Sequence, residues 1–217
     1  MDLVAAPMQE LPYAQQAATF VYRERPFRRR LRRIADIALA SALLVLSAPF
    51  LLLGVIAVYA EDGPPVLFKQ RRAGRFERTF TIYKLRTMRK ERCGDHESPS
   101  SSSDDRITRV GRFLRKTSID ELPQLFNVLR GEMSLIGPRP EMPAIINERY
   151  ERWQHLRHLV QPGVTGVWQA TCRSTVPLDR PEATALDVGY IERASPALDG
   201  EVLLKTIVSV VLQKGAI

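Results

Sequence analysis

The chain has 217 residues, a formal net charge of +8 and a pI near 9.9, room for one compact domain with appendages. The charge points to an anionic partner, whether phosphates, acidic lipid or nucleic acid. Aromatic residues make up only 7% and do not interleave with the cations, which argues against stacking on single-stranded nucleic acid. Cys93 and Cys172 lack C-x-x-C or Cys/His spacing, so they read as free thiols in a reducing compartment, without a zinc site.

Residues 1–27 read as a variable extension with Pro7, Pro12 and Pro26 and no assignable role. A second segment, 28–62, begins with the basic run Arg28-Arg29-Arg30-Leu31-Arg32-Arg33 and continues with 24 uncharged residues from Ile37 to Ala60. As one helix the uncharged run is ~36 Å long, enough for a ~30 Å hydrocarbon core. Two features argue against a single crossing. Pro49 sits near the middle, with Ser47 close enough to satisfy backbone groups it frees. Both flanks are basic, with Lys69, Arg71, Arg72, Arg75 and Arg78 following, and the positive-inside rule wants both in the cytoplasm. The expectation is a re-entrant membrane hairpin of two half-helices meeting at Pro49, with a kinked spanning helix as the alternative. A cleaved signal peptide fits poorly, because the apolar run starts late, is long and has no A-x-A site.

Segment 63–217 reads as the compact domain, the catalytic one on the resemblance given below. Two strand-like pieces, 66–70 and 79–84, flank a turn at Ala73-Gly74-Arg75. Alternation puts Lys84 and Arg86 on one face and Tyr83 and Leu85 on the other. Residues 91–105, serine-rich with five acidic residues, read as a surface loop that includes His96. Helical patterns cover 106–116, 121–130 and 143–159; 161–181 reads as irregular; a final helix covers 199–213. His155 and His158 read as surface residues. The last helix repeats apolar pairs (Leu203-Leu204, Ile207-Val208, Val211-Leu212) that suit a protein core or a membrane interface equally.

The densest chemical signal lies in residues 117–140. Asp120-Glu121 opens a short helix that Gly131 ends, and Pro138-Arg139-Pro140 follows as a rigid turn. Helix capping is the plain use of these carboxylates: Ser118-x-x-Glu121 has capping-box spacing, and Asp120 as N-cap puts Pro123 in the first turn. The sharper reading is a nucleophilic carboxylate, held ionised by the helix start that also attracts phosphate. Neighbouring helical side chains diverge by ~100°, so the two acids should not share one task. Arg139 is either a structural turn residue or an anion clamp whose planar fork suits two phosphate oxygens. Arg112 and Arg115 share a helix face.

Several ordered motifs cover roughly residues 32–211: F-x-Q-x-R-x-G, Y-K-x-R-T-M, R-I-T-x-x-G-R, S-x-D-E-L-P-Q, G-x-M-S-L-I-G-P-R-P, P-G-V-T-G-x-W-Q and L-D-x-x-Y-I-E. Together they resemble the bacterial sugar transferases, the monotopic phosphoglycosyl transferases, in a short form holding little beyond the catalytic unit. The resemblance implies an α+β, mostly helical fold: a re-entrant membrane helix, a small cytosolic domain with short strands, and interfacial amphipathic helices. It implies transfer of a sugar-1-phosphate from a nucleoside-diphosphate sugar, usually a UDP-sugar, to a polyprenyl (undecaprenyl) phosphate, with Mg²⁺. This is the first membrane step of surface glycan biosynthesis, on the cytoplasmic face of the bacterial inner membrane.

The same resemblance implies Asp120 as nucleophile and metal contact, with Glu121 assisting. Phosphates fall to Arg115 and Arg139, Lys84 supports the carboxylates, and Arg86 and Arg173 join the substrate-binding set. Arg173 follows Cys172 where the family usually has glycine. Implied partners are the donor, the acceptor, membrane lipids and, as an open point, a second copy of the chain, with no nucleic acid. A non-enzymatic basic binding module and a membrane diphosphate hydrolase are the rival readings.

Overall fold

The computed structural model describes residue 22 and residues 26–90, 104–172 and 175–212. It is mostly helical with a few short strands. The first helix, α1 (Pro26–Asp62), is 37 residues long, with Pro49 inside it and helical backbone on both sides. By length and apolarity it qualifies to cross a membrane: its best 18-residue window has a mean hydropathy of 2.5, and only 11% of that window is buried. Its buried positions are Asp36 and Ala40 near one end and Gly54 and Val58 near the other. Between them Leu43, Val45, Leu46, Phe50, Leu52 and Leu53 are exposed. Ser47 does not take the part expected of it, since its buried hydroxyl makes no hydrogen bond. The reason is register. Pro49 frees the carbonyl four residues back, at Val45, whereas a helical serine reaches back three or four residues, to Leu44 or Leu43.

Both ends of α1 are tied to the rest of the chain. Arg32 donates to the Ile136 carbonyl and the Tyr190 hydroxyl, and Arg33 to the Val128 and Leu129 carbonyls. Asp36 accepts from the Ser134 hydroxyl and the Leu135 amide. At the far end, Glu61 accepts from the Arg109 and Val110 amides, and Asp62 pairs with Arg86. Those two amides open the helix Arg109–Thr117, where a carboxylate is favoured by free N–H groups and the helix dipole.

Strands β1 (Leu67–Ala73) and β2 (Thr79–Leu85) form an antiparallel hairpin, with Phe68 opposite Lys84. This is the expected pair, with β1 starting one residue later and running three residues further than 66–70, and β2 running one residue further than 79–84. Helix α2 (Arg109–Thr117) follows, and a 3-10 turn (Ile119–Glu121) leads into α3 (Gln124–Arg130), which Gly131 ends at φ 81 as expected. Strand β3 (Ser134–Ile136) pairs in parallel with β4 (Gly163–Thr165), and α4 (Pro143–Arg149) and a 3-10 stretch (Arg152–Leu159) lie between them. The chain continues as α5 (Val167–Thr171), α6 (Pro181–Arg193) and α7 (Pro196–Val211).

Sequence reading finds neither the parallel pair nor α6, and it runs α4 and the 3-10 stretch together. Ile82, Leu125, Val128, Met133, Leu135, Ile136, Val167, Tyr190, Ile191 and Val202 form the main core, which Ala40 of α1 joins. Helix α7 covers the protein core with one of its faces. Val202 is in that core, while Leu204, Ile207 and Val208 are exposed.

Candidate active site

Three elements bring the predicted residues together. Lys84 comes from β2, Asp120 and Glu121 from the 3-10 turn, and Arg139 from the turn after β3. Lys84 Nζ lies 2.8 Å and Arg139 Nη2 3.1 Å from the same oxygen of Glu121, Oε1. Asp120 is 7% exposed, and its charge acts on both Lys84 and Arg139. Burial lowers the Lys84 pKa and the Glu121 carboxylate works against that. For Arg139 the neighbouring Glu121, Glu141 and Asp120 outweigh burial and raise it.

The capping expectation fails here. Ser118 ends α2 in the left-handed region (φ 56) and makes no side-chain cap, and Pro123, not Asp120, occupies the N-cap position of α3. A 3-10 turn has about three residues per turn, so Asp120 and Glu121 point about 120° apart. Their tasks are separated, as the sequence suggested, by a different local geometry.

A layer behind this cluster has no counterpart in the sequence-derived site. Arg72 of β1 donates to Glu141 Oε1 (3.1 Å) and to the Pro140 carbonyl, and burial lowers its pKa to about 10. Arg72 is the arginine of F-x-Q-x-R-x-G, so its motif was a signal, whereas Glu141 merely follows the Pro-Arg-Pro turn. Glycines let the layers approach. A Cβ on Gly163 would lie 2.1 Å from the Gly137 nitrogen, and one on Gly166 would lie 2.2 Å from the Gly137 oxygen. The P-G-V-T-G segment thus packs its backbone directly against the start of the arginine turn.

The other predicted residues are elsewhere. Arg86 is buried and donates to the Asp62 and Gly63 carbonyls, tying the hairpin to the end of α1. Arg115 donates through Nε to the Thr87 hydroxyl, the residue after Arg86. Arg173, His96 and Cys93 lie outside the described residues, as do 91–103 of the serine-rich segment. His158 is not a surface residue. It is 6% exposed, and burial next to Arg157 pushes its pKa down to about 4. His155 contacts Glu77.

Magnesium prefers oxygen ligands and keeps several waters, binding through one or two carboxylates plus substrate phosphates. Among the described residues no three His, Cys, Asp or Glu side chains gather as a cage. The buried Asp120 carboxylate, with Lys84 and Arg139 close enough to feel its charge, suits the shared type of site.

The sequence profile described as bacterial sugar transferase matches residues 27–213. A UDP-glucose:undecaprenyl-phosphate glucose-1-phosphate transferase of Caulobacter vibrioides is 41% identical over 191 residues, 85% of this chain and 71% of that protein. The uncharacterized sugar transferase EpsL of Bacillus subtilis is 39% identical, over 85% of this chain and 89% of its own length. The galactosyl transferase CpsE of Streptococcus agalactiae is 40% identical over 76% of this chain and 40% of that longer protein. With a profile spanning nearly all of α1 to α7, and a site assembled from its motifs, the chain belongs to the bacterial sugar transferase family and is a phosphoglycosyl transferase.

Proposed function

We propose that this enzyme moves a sugar-1-phosphate from a UDP-sugar to a polyprenyl phosphate through an aspartyl-phosphosugar intermediate, an acyl phosphate on Asp120. One observation carries the reading: Lys84 and Arg139 converge on one oxygen of Glu121, and the adjacent buried Asp120, whose charge acts on the same two cations, leaves the 3-10 turn in a different direction. Glu121 thus orients Lys84 and Arg139, and the reacting carboxylate we assign is Asp120. The resemblance to relatives named for undecaprenyl-phosphate chemistry supplies the substrate classes.

In the first step an Asp120 oxygen bonds to the phosphorus that carries the sugar. The bond from that phosphorus to the bridging oxygen breaks, and UMP leaves with the electron pair. Lys84 and Arg139 offset the charge of the diphosphate, which otherwise repels the carboxylate. The Asp120 carboxylate would hold magnesium, which would add to the neutralisation of the diphosphate charge. In the second step a phosphate oxygen of the lipid attacks the same phosphorus, and the Asp120 carboxylate is released. The mixed anhydride keeps the group activated between the two steps.

The anchoring of α1 supports a re-entrant membrane arrangement. Asp36 and Glu61, near its two ends, both hydrogen-bond to the same globular body. A straight crossing would place them a bilayer apart, ~38 Å along the helix. The exposed apolar middle entering and returning, bent near Pro49, keeps both ends on the cytoplasmic side, as the basic flank at 28–33 favours. The acceptor's phosphate then meets Asp120 at headgroup level.

The test is to quench the purified enzyme with each of a panel of UDP-sugars, without acceptor, and map any adduct by mass spectrometry under conditions that preserve acyl phosphates. A sugar-phosphate on the peptide holding Asp120, with UMP released in equal amount, is the expected result. UMP release that needs polyprenyl phosphate and leaves the protein unmodified would overturn the covalent route.

A further inference from the structure

The turn that presents Arg139 has every one of its carbonyls held from outside. Pro138 accepts from the Gly163 amide, Pro140 from Arg72, and Glu141 from the Ala73 amide. The carbonyl of Arg139 itself accepts from Arg157 Nη2 at 2.9 Å. Prolines at 138 and 140 bring no N–H of their own to the segment, so these outside donors set where the turn sits. Arg157 belongs to the 3-10 stretch and is fully buried. The same Nη2 donates to Asp187 Oδ2 of α6 at 2.5 Å, and Nη1 donates to the Tyr150 hydroxyl. A second bond, from Gln154 Nε2 to the Thr184 hydroxyl, locks the 3-10 stretch to α6.

From this geometry we infer that Arg157, fixed by Asp187 and Tyr150, is a positioning residue that aims the Arg139 guanidinium at the reacting phosphate. The inference rests on the role given to Arg139 under the proposed function. Arg157 touches no substrate. Its charge is balanced by Asp187, so its fork is free to act as a fixed backbone donor rather than as an anion site. A lysine there keeps the charge but loses the planar fork that reaches three oxygens at once.

The test is a double-mutant cycle in the full-length enzyme, with Arg157→Lys and Arg139→Lys made singly and together and UMP release measured with polyprenyl phosphate. Arg157→Lys should lower kcat roughly 10- to 100-fold and change KM less than about threefold, the scale on which a supporting residue acts through a misplaced group. In the Arg139→Lys background the same change should cost less than about twofold, because its target is already gone. Losses that multiply, or an unchanged kcat, would overturn the inference.

Should Arg157→Lys fail to fold, Tyr150→Phe carries the same cycle with a loss of roughly threefold that disappears beside Arg139→Lys. A loss that persists there counts against the inference. Amide hydrogen exchange of the peptide 137–142 gives a readout that needs no turnover, in whichever of the two variants folds. Exchange at least about tenfold faster than in the wild type supports the brace, and an unchanged rate refutes it. The wild-type rate judges the proposed function separately, so the two failures are told apart.

Discussion

Of the arginine–carboxylate pairs around the Arg139 turn, two stand at opposite extremes of access to solvent. Arg139 and Glu121 keep 18% and 11% of their side chains exposed, at the site proposed for the donor's phosphates. Arg157 and Asp187 keep 0% and 1%. The open pair shares its carboxylate with Lys84, whereas the sealed pair divides its guanidinium among a carboxylate, a hydroxyl and a backbone carbonyl. A pair that exchanges partners with a ligand must be reachable. One that fixes geometry is better kept dry, where a hydrogen bond is electrostatically stronger and a missing partner is costly. On the proposed roles, the same chemical unit serves binding on one side of the turn and placement on the other.

The sharpest way to break this division is at Asp120, beside the open pair. Asp120→Asn removes the reacting oxygen and should lower turnover by on the order of 10⁴-fold or more, with no phosphosugar adduct detectable. A variant that still turns over at the wild-type rate would place the nucleophile elsewhere. Next in size is the sealed pair. Asp187→Asn leaves a buried guanidinium without its counter-charge and should cost about 3–5 kcal/mol of unfolding free energy. Denaturant unfolding would measure this, and a loss under about 1 kcal/mol would mean that the pair is not sealed in solution.

The open pair should respond in the opposite sense. Glu121→Gln frees Lys84 and Arg139 from their shared oxygen, so kcat should fall about 10²- to 10³-fold while the unfolding midpoint moves little. A variant crippled in stability but not in rate would reverse the roles assigned to the two pairs.

Much of the open site was legible because its parts are local. The adjacent acids, Gly131 and the Pro-Arg-Pro turn are consecutive letters with fixed backbone consequences, and the β1–β2 hairpin shows as alternation. The sealed pair was not legible as a pair: Asp187 is the aspartate of L-D-x-x-Y-I-E, but Arg157 lies thirty positions before it and nothing local marks that arginine as buried or as its partner. Three-residue strands such as β3 and β4 are too short for alternation to register. Helix α6 had a usable sign in Pro181 at its first turn, masked by the irregular segment before it. The capping box at Ser118 misled because spacing alone cannot show that this serine would adopt φ 56 and end the preceding helix.

The smallest effect tests how strongly the sealed region resists added charge. His158 is buried beside Arg157, its ring stacked on Tyr150, with Glu77, His155 and the Gly74 backbone as its other polar neighbours. Burial and the Arg157 charge hold its pKa at about 4, against 6.5 for an ordinary histidine. Between those pH values the unfolded chain takes up a proton that the folded chain refuses, so stability contributed by neutral His158 is present above pH 6.5 and is lost as pH falls toward 4. The loss is about 2–3 kcal/mol, since each tenfold change in proton affinity is worth roughly 1.4 kcal/mol. His158→Gln removes the titration and leaves the other groups of the fold in place. The difference in unfolding free energy between wild type and variant should therefore shrink or change sign by that amount between pH 7 and pH 4. A difference that stays constant with pH would mean that the region admits a second positive charge beside Arg157, and the contrast between a dry brace and an open clamp would not hold.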